Sequence, residues 1–137
     1  MYFIGAKLAL FIGDDLLVIK RDNRPDIPFP DCWDLPGGGR EGVESPEECA
    51  LRETLEEVGL RLHKRQLTWS SRAMRLDGPA WFFAAHRPAS DVSRIRFGNE
   101  GQGWELMHPS IYIQHSKAVP HLAEHVHDYL RDRSDAA

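Results

Sequence analysis

The sequence is poor in cysteine: Cys32 and Cys49 are the only two in 137 residues. That is too few for a disulfide framework and the wrong spacing for a structural zinc site, so a reducing compartment is indicated and a cytoplasmic location is expected. No apolar run approaches the length of a membrane span. The opening MYFIGAKLALFIGDD lacks a basic leader and a small-residue cleavage pattern, so it is read as a strand rather than a signal peptide, and no membrane partner is expected. Positive charge is not in excess either, with 17 Lys and Arg against 21 Asp and Glu, a formal net charge of −4. General attraction to nucleic acid or to an anionic surface is therefore excluded, and no stable nucleic-acid binding is expected. There is no internal repeat and no linker. The expectation is one domain over residues 1–133, with 134–137 a disordered tail.

What is abundant is local. From Gly38 to Leu60 the chain reads GGREGVESPEECALRETLEEVGL, with carboxylates crowded between Glu44 and Glu57. Ser45 is a favourable N-cap, Pro46 suits the first helical position, and Glu48 completes a capping box. Gly59 tolerates a left-handed stop, so a helix is predicted to end at Val58. At about 100° per residue, Leu51, Thr54, Leu55 and Val58 share one side, while Glu53, Glu56 and Glu57 gather nearly opposite. A solvated acidic face is a poor account of this pattern. Like charges at i,i+3 and i,i+4 repel, Glu56 and Glu57 oppose the helix dipole, and Arg52 alone lies close enough in sequence to offset them. Oxygen donors in such a cluster suit hard divalent cations, Mg²⁺ or Mn²⁺.

The run Gly38, Glu44, then Arg52-Glu53-Thr54-Leu55-Glu56-Glu57-Val58-Gly59-Leu60 resembles the Nudix box of the Nudix hydrolase superfamily. Thr54 stands where that family prefers a bulky aliphatic residue; it faces the apolar side and is close to valine in shape. Trp33-Asp34-Leu35-Pro36-Gly37-Gly38 resembles the segment that precedes the box in the family. The resemblance implies that Glu53, Glu56, Glu57 and the Gly37 carbonyl hold the metal. It also implies that Arg52 orients a carboxylate and that Glu44 fixes the loop or acts through water. The glycines Gly37, Gly39 and Gly42 also fit G-x-G-x-x-G, but they belong to the longer signature.

The remaining chain is read for its fit to this centre. Leu8 to Ile12 and Leu16 to Lys20 form a hairpin across Gly13-Asp14-Asp15. Asn23 to Asp31, with three prolines, is a loop. Leu60 to Leu76 is extended, Asp77-Gly78-Pro79 turns, Trp81 to Ala85 is an apolar strand, and Val92 to Phe97 is a further strand. The loop from Gly98 to Gly103 carries Glu100, which resembles the downstream glutamate that many family members use as metal ligand or base; Glu105 competes for that role. Lys117 to Arg131 is a helix with Val119, Leu122, Val126 and Leu130 on one stripe, packed opposite the box helix. Within it, His121 to His125 matches H-x-x-E-H, which is read as an ordinary polar helix face. The fold implied is α/β, a Nudix-type α/β/α sandwich with a mixed sheet.

The implied reaction is metal-dependent hydrolysis of a phosphoanhydride in a nucleoside diphosphate derivative. Signatures of the ADP-ribose, dinucleoside polyphosphate and coenzyme A classes are lacking. A nucleoside triphosphate, modified or not, is therefore preferred, giving monophosphate and pyrophosphate. Nucleotide sugars, dinucleoside polyphosphates and a non-catalytic nucleotide sensor are the alternatives. Trp33, Arg21 and Trp81 are the candidate substrate contacts. The sequence leaves open which glutamate is the base and whether the protein is a homodimer.

Overall fold

A computed structural model describes residues 2–136 of the chain. Among them, seven strands and three α-helices run in the order β1 (Gly5–Ile12), β2 (Asp15–Lys20), β3 (Trp33–Asp34), β4 (Gly37–Gly39), α1 (Pro46–Val58), β5 (Trp69–Arg75), β6 (Gly78–Arg87), β7 (Gly103–Met107), α2 (Pro109–Gln114) and α3 (Pro120–Ala136). The strands make one mixed sheet in the order β3-β2-β1-β6-β5, with β4 added on β1 and β7 on β2. β1 runs parallel to β6, while its other partners are antiparallel.

The central strands are covered on both faces, which explains their near-continuous apolar runs. Leu8, Leu10, Ile12 and Phe83 face α1 and pack with Cys49, Ala50 and Val58. Ala9, Phe11, Phe82 and Ala84 face the other way and pack with Tyr112 of α2, Leu122 and Val126 of α3, and Val119 just before α3. Each fully buried leucine contributes about 1.5–3 kcal/mol. The sandwich and the placement of α3 opposite α1 are as the sequence implies.

The hairpin turn closes with Ile12 opposite Asp15 and Gly13 at φ 62. α1 starts on Ser45, whose hydroxyl accepts from Glu48 N–H in a complete capping box, and stops at Gly59 with φ 73.

Four expectations are corrected. Val92 to Phe97 is not a strand: Ala89–Arg94 forms a 3₁₀ helix, and Ile95 N–H closes onto the Val92 carbonyl. Its single buried apolar contact, Ile95, follows an exposed Val92 three residues earlier, a spacing a 3₁₀ turn accommodates. Leu60 to Leu76 is extended only from Trp69; a 3₁₀ turn at Lys64–Gln66, capped by His63, precedes it. The β5–β6 reversal sits at Leu76-Asp77, so Gly78 and Pro79 already belong to β6. The last helix continues to Ala136, into the segment expected as a tail, because no glycine or proline interrupts it; Ala137 lies outside the described residues. The short α2 was not anticipated: its cap is His108, a weak sequence signal, and it has only six residues. Among the described residues, no helix is long and apolar enough to cross a membrane.

Candidate active site

The centre is built where β4 lies against both β1 and α1. Gly37 pairs with Lys7 across the ladder and adopts φ 138, where a side chain would collide with the Ala6 carbonyl and the Lys7 backbone. A Cβ on Gly38 would stand 2.5 Å from Glu53 Oε2. Two consecutive glycines thus let the strand press onto the helix and leave a cradle for the glutamates.

Glu57 reaches back from the last turn of α1 to accept a hydrogen bond from Gly37 N–H at 2.8 Å. Burial pushes its carboxyl up to about 7, with Gly37 N–H and Lys7 pulling down and Glu53 and Asp34 pushing further up. Glu56 is exposed, and Glu53 is sheltered under Arg52.

Arg52 is the hub of the acidic face. Its guanidinium makes a bidentate pair with Glu44 (2.9 and 2.8 Å), touches Glu53 at 2.9 Å and Glu56 at 3.3 Å, and donates to the Gly39 carbonyl. The hydrogen bonds from Arg52 hold Glu44 down at about 2, and Glu44 in turn accepts from Glu41 N–H at 2.8 Å. These contacts tie Glu44 both to α1 and to the loop backbone at Glu41. Cys49 is buried, its thiol pushed up to about 12 by desolvation and donating weakly to the Gly38 carbonyl. It is a packing residue.

The Glu100 loop is tied to the end of α1. Gly98 N–H donates to the Glu57 carbonyl and Arg96 N–H to that of Val58, both at 2.8 Å, satisfying the helix's free carbonyls. Gln102 anchors the far side of the loop to Lys20, Arg21 and Asp31. Glu100, Glu57, Arg21, Arg24 and Asp34 consequently line one cavity of about 260 Å³. Glu105 sits exposed on β7 opposite Val18, outside this cavity.

Among the described residues, no three His, Cys, Asp or Glu side chains are preassembled as a metal cluster. Arg52 accounts for that, since it holds Glu53 and Glu56 while Glu57 turns to Gly37. The donor set nevertheless fits a hard divalent ion in kind: carboxylates, a backbone carbonyl and a cradle that any Cβ at Gly38 would fill.

A second, larger cavity of about 490 Å³ opens beside Gly38 and Gly39 on the α3 face. Phe29, Phe82, His121 and His125 give it aromatic walls, and Lys7 and Arg75 lie at its edges. His125 stacks on Phe82 with ring centres 4.8 Å apart. His121 is pushed down to about 4 by burial and then by Arg75, so both it and His125, also lowered by burial, are neutral near pH 7.

The three candidate substrate contacts separate. Arg21 reaches the Glu57–Glu100 cavity while pairing with Asp34 at 2.9 Å. Trp81 borders the larger cavity, but its indole packs into the α1-side core, stacked on Phe83. Trp33 lines neither cavity; it is half-buried in the α3-side core under Lys20. Alternation explains Trp81, since its neighbour Phe82 takes the α3 face. Sequence reading missed Lys7 and Phe29, gave Asp34 no role within the pre-box segment, and took His121 and His125 for a polar helix face, whereas burial and stacking place them in the cavity wall. For Lys7 the signal was the lone lysine inside the apolar run IGAKLALFI.

The NUDIX domain model matches residues 1–129. The chain is 45% identical over 60 residues to the "Putative 8-oxo-dGTP diphosphatase" of Bacillus subtilis (strain 168), an overlap of 43% of this chain and 36% of that protein. It is 30% identical over 87 residues to the RNA pyrophosphohydrolase of Tolumonas auensis (strain DSM 9187 / NBRC 110442 / TA 4), covering 51% of this chain and 50% of that one. The matched region thus spans half or less of these relatives' length. The crystal structure of a C. elegans Ap4A hydrolase binary complex superposes with a TM-score of 0.74 over 96% of this chain and 98% of that chain; at 18% identity this is a likeness of fold. With a matching model over nearly its whole length and the box residues gathered at one centre, the chain belongs to the NUDIX domain family.

Proposed function

We propose that the protein hydrolyses a phosphoanhydride bond in a nucleoside diphosphate derivative, with a nucleoside triphosphate, modified or not, as the preferred substrate. The products are then a nucleoside monophosphate and pyrophosphate. One observation carries the reading: the Gly37 carbonyl, Glu53 and Glu57 lie at the junction of β4 and α1, directly beside an aromatic-walled cavity large enough for a nucleoside. The relatives named for diphosphatase and pyrophosphohydrolase activities lend support through the segment they share with this chain.

Glu53, Glu56, Glu57 and the Gly37 carbonyl would hold Mg²⁺ or Mn²⁺, which when bound would supply charge neutralisation for the phosphates and a more acidic water. The protein does the rest by position. Glu57 and Glu100 face the smaller cavity, where either can take the proton from the attacking water; of the two, Glu57 is the one tied to the Gly37 backbone. Arg21 and Arg24 line the same cavity, each already paired with a carboxylate, Asp34 and Asp26, and lend it positive charge. Phe29, Phe82, His121 and His125 receive the base.

The test is release of pyrophosphate or phosphate from nucleoside triphosphates, nucleotide sugars, dinucleoside polyphosphates and 5′-triphosphate RNA, with Mg²⁺ or Mn²⁺. Turnover of a nucleoside triphosphate to monophosphate and pyrophosphate is expected. Preferred cleavage of another class would reassign the substrate, and binding without turnover in either metal would favour a nucleotide sensor.

A further inference from the structure

Lys7 has no part in the Nudix box, yet it stands directly across the β1–β4 ladder from Gly37. Its ammonium has three donors, and the fold engages all of them: Asp34 at 3.1 Å, the Leu35 carbonyl at 3.2 Å and the Gly37 carbonyl at 3.2 Å. Asp34 is itself buried and pinned, accepting from Arg21 Nη1 at 2.9 Å and from Leu35 N–H at 2.7 Å. The ammonium, at the border of the larger cavity, thus has all three donors engaged by the protein.

What these bonds accomplish follows from the backbone of Gly37. At φ 138 it needs a glycine, and glycine brings access to that region without preference for it. Its N–H is held by Glu57 and its carbonyl by Lys7, so the torsions on both sides of its Cα are fixed by hydrogen bonds from two different elements. The Gly38 amide in the same peptide plane pairs with Ala6 across the ladder, and Lys7 adds the one side-chain bond made directly to the Gly37 carbonyl oxygen.

We propose that Lys7 is a positioning residue that aims the Gly37 carbonyl into the metal site, anchored through Asp34 to Arg21. The inference rests on the function proposed above only in assigning that carbonyl to the metal. It has a distinctive sign. Lys7 is a cation beside a cation site, so if charge alone mattered its removal would tighten metal binding. Positioning requires the reverse.

The experiment measures Mn²⁺ affinity by electron paramagnetic resonance, without substrate, in a Cys32→Ser background with Cys49 buried and unreactive. Lys7→Met and Lys7→Cys are compared with the parent, and the Lys7→Cys protein is then alkylated with 2-bromoethylamine to rebuild an ammonium of near-lysine length. Expected are an approximately tenfold weaker Mn²⁺ affinity in both variants, recovery on aminoethylation, and displaced Gly37 and Gly38 amide resonances in the metal-free variants that return with it. Unchanged or tighter Mn²⁺ binding, or a loss that aminoethylation leaves unrepaired, overturns the proposal. Failure of the functional reading is distinguishable, because it appears as absent turnover while the amide displacement and its repair persist.

Discussion

The two faces of the sheet are built on different principles. On the α1 face the ionisable groups are tied to one another: Arg52 binds Glu44, Glu53 and Glu56, and Glu57 binds the Gly37 backbone. On the α3 face the walls are mainly aromatic rings and neutral imidazoles; Lys7 at the border is tied to Asp34, and among the described residues the half-buried Arg75 makes no ion pair. The first face is specified by charge and fixed geometry, which suits chemistry that every substrate of a class shares. The second is specified by shape and stacking, which suits choosing among substrates.

The sharpest way to break this contrast is Glu57→Gln. Turnover should fall by at least about 10²-fold, measured as product release at saturating Mg²⁺. The melting temperature should hold or rise, because Gln mimics the protonated carboxyl that burial favours. A variant that kept full activity would remove Glu57 from the centre. Phe29→Ala and His121→Ala should do the opposite, raising KM about tenfold with Mn²⁺ affinity unaltered. A loss of Mn²⁺ affinity in either would mean that the faces are not separable.

The smallest effect is also the most selective, since acid should erode the two faces in different windows. His121 has a folded pKa of about 4 against an ordinary 6.5, so the unfolded chain binds more protons between these values. Its contribution is complete above pH 6.5 and is lost as the pH falls towards 4. Glu44, at about 2 against 4.5, contributes fully above pH 4.5 and loses that contribution towards pH 2. Urea melts across pH should therefore lose slope in the upper window for His121→Gln and in the lower window for Glu44→Gln. Equal slopes in variant and parent would discard the corresponding assignment.

Much of the α1 face was legible because its signals are short in sequence. Ser45, Glu48 and Gly59 set the ends of α1 by contacts within a turn, and the spacing of Arg52, Glu53, Glu56 and Glu57 is converted into a face by helical pitch alone. Glu100 was legible as a glycine-loop carboxylate, but its nearness to Glu57 depends on Gly98 closing onto the α1 carbonyls. On the α3 face the sequence named Trp81 but not Phe82: both line the cavity, and strand alternation packs the indole against the α1-side core while Phe82 faces α3.

The sequence by itself determined the box helix, its ends and the acidic character of its face, and the family resemblance implied the mixed α/β sandwich. The helix and its face are encoded by neighbours within a few residues, where propensity, capping and periodicity act. Only the tertiary structure decided that Lys7 holds Gly37 across 30 residues of chain, that Phe29 meets His121, and that Glu57 is buried enough to carry a raised pKa. Those properties arise from register between strands and from desolvation by distant elements, and no local pattern records either.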